Sequence, residues 1–586
     1  MKNYDLLKNQ QANGSFLDSN QKESLLISSL ITNNLGLLSE KINTENLKKY
    51  LLENKDQVFS FKNNKEINFF IAANILKSFP ENVTGKEIAT IVKTLASIEK
   101  EEGGPYYNDN RQIDLGTNTV IAYLLSVQEV DIPSLIDLIE SSIKKQDFKS
   151  KLLNNESFII YLLSQFYEGE EKNNLIDLVL KKLQSENILN KILLSISLLN
   201  LKYEIDIKEI IDDIENNQDD LNNQFQIFQD FKSTPDVNFS FYLELTSKYK
   251  QRNKELSQAK EEEKVLDKII ELAENNFKYL SPDFAKISIE QIQKTIARNK
   301  DKQMSLMAYY TKKALGEKGR NINDELVIEM GLMNVFFWTA FIIYDDFWDE
   351  DEDADPKVLP SANFYTRKYI NFFISSTPEN KKFINFFHKL MDKLDEANAW
   401  EVSHCRAKII GSKFIIPDSI PNYNDYEYKF NPSSGHILGP IALMAKIGYD
   451  LDSPEIQNFI AYFRNYLIAM QINDDAHDWE EDIKRGHLST VVVMMLNSWK
   501  VNFPDKKEID LITDLEKLQE IFWFEIITKA SETALTYTKK SREALKKISF
   551  IEDYEPLEYF ININERMAQK AIIEQKRSIE FLNEFQ

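Results

Sequence analysis

A chain of 586 residues is more than one hydrophobic core can organise, so two or more domains are expected. Hydrophobic residues make up 43% of it while Gly and Pro number only 15 each, which leaves few tight turns and predicts long helices joined by polar loops, an all-α fold. The net charge of −22 excludes a broad nucleic-acid surface, and the single cysteine, Cys405, excludes an intrachain disulfide and fits a reducing, cytoplasmic setting.

The first stretch, MKNYDLLKNQQANGS, has no apolar core of the kind a secretory signal carries. A turn at Gly14-Ser15-Phe16 then leads into an apolar helical pattern. Turn, aromatic and apolar helix return together at Phe61 and Tyr107, intervals of 45 and 46 residues, with a weaker copy around Phe158. A period in that range predicts stacked helical hairpins, each burying its face against the next. The unit resembles the repeats of the αα-barrel in squalene–hopene cyclases and in terpene-synthase accessory domains, over residues 1–230. Cyclases of that group that begin by protonation use an aspartate cluster. Here IDLGTN offers only Asp114, so the resemblance implies a chemically silent accessory barrel.

Between 230 and 262 the pattern breaks at Ser233-Thr234-Pro235-Asp236 and continues as the charged run KYKQRNKELSQAKEEEK. The run reads as a solvated helix. The domains are therefore expected at 1–245 and 246–586.

Helical periodicity resumes near residue 263 and leads to FFWTAFIIYDDFWDEDED, where an apolar run stops abruptly at Asp345, Asp346, Asp349 and Glu350. The apolar part, Met330 to Tyr344, is about fifteen residues, short of a bilayer span, and reads as a buried helix rather than a transmembrane segment. Asp345 and Asp349 are four apart, so on a helix they share one face. In YLIAMQINDDAHDWEEDIKRG, Asp474, Asp478 and Asp482 repeat that spacing. Carboxylates are ligands for hard cations such as Mg2+, which completes its shell with water and phosphate oxygens. Two acidic helix ends thus predict one clamp for a metal and a phosphorylated ligand.

YDDFWDEDED resembles the first aspartate-rich motif of trans-isoprenyl diphosphate synthases and class I terpene cyclases, and INDDAHDWEEDIKRG resembles the second. Asp345 and Asp474 stand 129 residues apart. The stretch ALKKISFIEDYEPLEYFININERMAQKA resembles the closing helices of that family, so the likeness spans most of 290–575. It implies a class I isoprenoid-synthase bundle in which three Mg2+ ions, or Mn2+ in their place, grip the diphosphate of a small isoprenyl diphosphate substrate. Diphosphate departure then leaves an allylic carbocation. Carried over, the ligands are Asp345, Asp349, Asp474 and Asp478, with Asp346, Asp475 and Asp482 as further ligands or behind them. Members of the family often pair through the bundle, which implies a homo-oligomer.

The resemblance also calls for basic groups on the diphosphate. Arg406 in WEVSHCRAKIIGSKF stands about where terpene synthases place a diphosphate-sensing arginine. Lys429 in YKFNPSSGHILGP resembles the Lys-Thr motif of the prenyl synthases, with Phe430 in place of Thr, and Gly435 offers a helix break. Lys484 and Arg485 follow the second motif directly.

Helix phase gives candidates for a cavity beneath the metals: Phe341, Trp338 and Phe337 before Asp345, and Met470 and Tyr466 before Asp474. Aromatic faces stabilise a carbocation without attacking it, although core packing produces the same pattern. His436 and His477 read as structural.

Three functions fit these residues. A class I cyclase ionises one allylic diphosphate and cyclises it. A chain-elongating isoprenyl diphosphate synthase needs a second site for isopentenyl diphosphate, which in the family uses Gly-Gly-Lys-x-x-Arg-Pro upstream and paired arginines downstream of the first motif. Here those regions read ARNKDKQMSLMAYYTKKAL and ADPKVLPSANFYTRKY, with Arg298, Lys302 and Arg367 as partial substitutes. That departure favours the cyclase. A non-catalytic prenyl-binding protein is the third reading, opposed by the intact acidic clusters.

Overall fold

The computed structural model describes residues 6–36, 44–62, 64–101, 103–184, 186–348, 354–376, 381–423 and 425–585. Among them the chain is helical apart from one two-stranded and one three-stranded sheet of short strands. It forms two compact units, Met1–Gln258 with Lys576–Gln586, and Ala259–Gln575.

In the first unit, helices Leu25–Leu35, Lys65–Ser78, Leu115–Ser126, Glu156–Leu163 and Ile188–Asn200 pack in succession. They are apolar nearly all round; in the third, every residue from Leu115 to Leu124 is buried. The start of Pro235–Phe277 completes the ring. Lys248 donates to Asn200 at 2.7 Å on one side, and the Asn34 amide meets the Ser240 hydroxyl at 2.9 Å on the other. Outer helices such as Gly85–Ile98 and Pro133–Lys145 bury only one stripe each. The repeated turns are pinned to the inner helices. Phe16 N–H donates to Ser28 Oγ at 3.1 Å, and Tyr106 N–H to Asn118 Oδ1 at 2.8 Å. Tyr106, rather than Tyr107, is the aromatic that enters the core.

Asp114 caps the Leu115–Ser126 helix. Its carboxylate accepts from Thr117 N at 3.0 Å, Ser150 Oγ at 2.7 Å and Lys151 N at 2.7 Å. Both of its oxygens are engaged in these capping hydrogen bonds.

The charged run lies inside one unbroken helix, Pro235–Phe277. With no breaker after Pro235, the units divide at Gln258/Ala259 and not at 245/246, and residues 576–586 belong to the first unit. The expected 246–586 domain is shortened at both ends.

In the second unit, Asp324–Trp348 packs on Gln303–Ala314, Leu359–Ser376 and Leu438–Lys446. By length and apolarity it passes as a bilayer-crossing helix, yet 78% of its apolar window is buried inside the protein. Pro454–Arg485 lies along Ile527–Leu545. Between these two carboxylate-bearing helices, Glu427–Ser433 gives way to a 3-10 turn, Ser434–Ile437, before Leu438–Lys446. Gly435 sits in that break because the Phe337 ring fills the space of a side chain: a Cβ there would stand 2.0 Å from Phe337 Cε1.

Candidate active site

A cavity of about 310 Å³ opens between the two carboxylate-bearing helices. Its rim carries Asp345, Asp474, Asp478, Asp482, Asp475, Glu401, Lys429 and His487, and its remaining wall includes Met304, Trp338, Phe341, Pro432, His436 and Met470. Asp349 and Glu350 lie outside the described residues. Both predicted acidic helix ends thus reach one pocket, through Asp345 from the first and Asp474, Asp478 and Asp482 from the second.

The rim's charge is lopsided. Among the described residues, six rim carboxylates face one lysine and one histidine. Burial, reinforced by Asp478 and Asp475, raises the Asp474 carboxyl to a pKa of about 6, against the pull of Lys429. A diphosphate entering such a rim meets repulsion unless cations come with it. Among the described residues no three Asp, Glu, His or Cys groups form a ready-made metal cage. Mg2+ does not need one, because it uses one or two protein carboxylates and fills the remaining positions with water and phosphate oxygens. The donor set therefore fits that ion.

Asp475 and Asp482 are engaged elsewhere. Asp475 Oδ1 lies 3.1 Å from Lys429 Nζ, and its Oδ2 accepts from Thr490 N at 2.9 Å and from the Thr490 hydroxyl. At 7% exposed it is a buried counter-ion for Lys429 rather than an open ligand. Helix phase explains this, since neighbouring residues point about 100° apart and only one of Asp474 and Asp475 can face the rim squarely. Asp482 Oδ1 lies 3.3 Å from His487 Nδ1, whose Nε2 contacts Glu401 at 2.9 Å. Burial lowers the affinity of His487 for its proton, but the hydrogen bonds to Asp482 and Glu401 outweigh it and raise the pKa to about 9. Burial raises the carboxyl of Glu401, and His487, Lys429 and Arg406 together overcome it, bringing it to about 2. His487 is thus an imidazolium bridging two carboxylates. Asp478 has its own partner, the exposed His477, at 2.6 Å. Asp346 is half-buried and lies outside the cavity wall.

The basic residues divide. Lys429 lines the cavity; burial opposes its charge, but Asp475 and Glu401 hold it protonated. Arg406 does not line it, although its charge reaches Glu401 and its backbone bridges to His487. Lys484 and Arg485 occupy exposed positions at the helix end, Lys484 within 3.5 Å of Glu480. Neither lines the cavity. Arg298, Lys302 and Arg367 also stand outside its wall, and Lys302 is paired with Glu262 at 2.7 Å.

Of the five cavity candidates, Trp338, Phe341 and Met470 line the wall, whereas Phe337 and Tyr466 do not. The cause is helical phase. Residues four or seven before an aspartate fall within about 40° of its direction, and residues eight before fall about 80° away. Phe337 backs Phe341 in a parallel stack at 6.1 Å, and the buried Tyr466 hydroxyl meets Gln303 at 2.5 Å.

Glu401 and His487 went unrecognised in the sequence. A signal for His487 exists: Gly486, at φ +76°, ends the second helix in a left-handed cap and folds the next residue back toward Asp482.

No protein-family profile matches the sequence, and no curated protein does. Among solved structures the chain is similar to farnesyl diphosphate synthase of T. brucei complexed with a bisphosphonate. The alignment covers 51% of this chain and 96% of that one, at 11% identity and a TM-score of 0.38.

Proposed function

We propose that the protein is a class I terpene synthase that ionises a linear allylic isoprenyl diphosphate and cyclises the resulting carbocation. One observation carries this reading: a cavity whose wall holds Trp338, Phe341, Met304 and Met470 beside the polar Asn398, Ser433 and Gln471 is rimmed by carboxylates from two helices. An isoprenoid diphosphate has the matching polarity, a hydrocarbon tail for the wall and an anionic head for the rim. Asp345, Asp474 and Asp478 would hold divalent cations, Mg2+ or Mn2+, which supply the positive charge that draws off the diphosphate. Lys429, fixed by Asp475, presents a permanent cation to the same head group. Trp338 and Phe341 offer aromatic faces to the carbocation and no nucleophile. Among the described residues, Arg298, Lys302 and Arg367 do not line the cavity, and Lys429 and His487, its basic side chains beside His436, are both held by carboxylates, which supports cyclisation over elongation because a second diphosphate would have no cation of its own.

The test is incubation with Mg2+ and geranyl, farnesyl, geranylgeranyl or geranylfarnesyl diphosphate, each with and without isopentenyl diphosphate. A cyclic terpene from one allylic diphosphate alone is the expected product. Longer diphosphates formed only with isopentenyl diphosphate would make the protein a chain elongator, and no diphosphate release from any substrate would overturn the synthase reading.

A further inference from the structure

Besides the charged rim, the cavity wall carries the polar side chains Asn398, Ser433, Gln471 and His436, the last on the 3-10 turn Ser434–Ile437. The side chain is 4% exposed, and its ring lies 4.3 Å from that of Trp338, itself 6% exposed. His436 Nδ1 has no hydrogen-bond partner among the described residues, and neither has Trp338 Nε1. A buried imidazole normally has its nitrogens tied to a carbonyl or carboxylate. Leaving one unmade costs stability that a purely structural histidine would recover through a neighbour. Chemistry on the wall gives such a group a use.

Resting on the synthase reading, we propose that His436 is the base that ends the reaction, taking a proton from the carbon beside the final carbocation and releasing a hydrocarbon. The C–H bond breaks, its electron pair becomes the new C=C bond, and the proton passes to the imidazole. It leaves with the diphosphate and solvent when the site reopens. Among the described residues of the wall outside the charged rim, Met304, Trp338, Phe341, Pro432 and Met470 offer no basic lone pair, and the amide and hydroxyl oxygens of Asn398, Gln471 and Ser433 are far weaker bases than an imidazole. Burial in this apolar setting lowers the His436 pKa to about 3. The ring is therefore neutral throughout the physiological range and does not repel the cation. A C–H beside a carbocation is acidic enough to protonate even so weak a base, which then gives the proton up readily.

The experiment is product analysis of wild type and His436→Ala with Mg2+ and the allylic diphosphate that the wild type uses, without additive, with imidazole, and with pyrrole. Pyrrole has the same shape but no basic nitrogen. Wild type is expected to release hydrocarbon. His436→Ala should slow the terminal deprotonation by roughly a hundredfold, shifting product to water-captured alcohols, and imidazole but not pyrrole should restore the hydrocarbon. Equal restoration by pyrrole, or an unchanged product mixture in His436→Ala, would overturn the assignment while leaving the synthase reading intact. Wild type that releases no diphosphate would overturn the synthase reading, and this assignment with it. Should His436→Ala not fold, His436→Gln, which keeps side-chain volume, carries the same comparison: hydrocarbon undiminished overturns the proposal, hydrocarbon lost supports it.

Discussion

Lys429 Nζ stands 3.1 Å from Asp475 Oδ1 with both side chains 7% exposed, so this lysine of the cavity wall is pinned by the carboxylate next to a predicted metal ligand. This makes the two adjacent aspartates functionally unlike. Asp474 faces the rim and is raised in pKa by burial and then by its acidic neighbours, whereas Asp475 is spent on a lysine and a threonine. Asp475→Ala should therefore act mainly on stability, because it leaves a buried ammonium unpaired, at about 3–5 kcal/mol. The double variant Lys429→Met/Asp475→Leu should recover much of that loss. Urea denaturation of wild type, Asp475→Ala, Lys429→Met, Asp475→Leu and the double variant checks it, and a double variant as unstable as the sum of Lys429→Met and Asp475→Leu would refute the pairing.

Asp345→Asn and Asp474→Asn should instead spare folding and remove turnover, each by on the order of a hundredfold or more. Circular dichroism and diphosphate release on the same samples separate the two effects. Undiminished release from either variant would take that residue out of the clamp.

The pH dependence of cation binding has a defined sign. The Asp474 carboxyl titrates at about 6, above the 3.8 of an unhindered aspartate, so the charge it carries at pH 7 is unfavourable without a cation and is relieved as pH falls through 6. Mg2+ should raise the thermal midpoint most at pH 7 and above and progressively less toward pH 5. A Mg2+-induced shift that is flat with pH would contradict this.

His487 works in the opposite direction. Its folded pKa of about 9 lies above the ordinary 6.5, so its contribution is fully present below 6.5 and is lost as pH rises through 9. The size is on the order of 3 kcal/mol. Measured between pH 6 and 10, His487→Gln should be less stable than wild type at pH 6 and nearly equal to it at pH 10.

Much of this was legible in the sequence because periodicity carries phase as well as structure. The carboxylates at Asp345, Asp474 and Asp478 and the wall residues Trp338, Phe341 and Met470 follow from counting turns along single helices. Residues whose role depends on a second element were hidden. Glu401 acts through His487, on another segment, and Asp475 matters because Lys429 comes to it from a separate short helix. The unit boundary was hidden for a related reason. Pro235 reads as an interruption, yet as the first residue of a helix it starts one.

The C-terminal residues present the same problem, since nothing local in RSIEFLNEFQ assigns them to the first unit. The structure does so through Gly85, whose N–H donates to Glu580 Oε2 at 2.8 Å and whose Cβ, if present, would lie 2.1 Å from Arg577 O and 2.4 Å from Phe581 N. Gly85 opens the helix Gly85–Ile98, where intrinsic propensity alone would favour alanine only mildly. Backbone atoms cannot yield as a side-chain tip can, so the overlap outweighs that gain, and Gly85→Ala should cost about 1–3 kcal/mol. Thermal unfolding of Gly85→Ala, of a chain ending at Gln575, and of the two changes combined tests this. The substitution should destabilise the full-length chain but become neutral or favourable once residues 576–586 are gone. Equal destabilisation in both backgrounds would mean that the close approach of these backbones is not what keeps Gly85 a glycine.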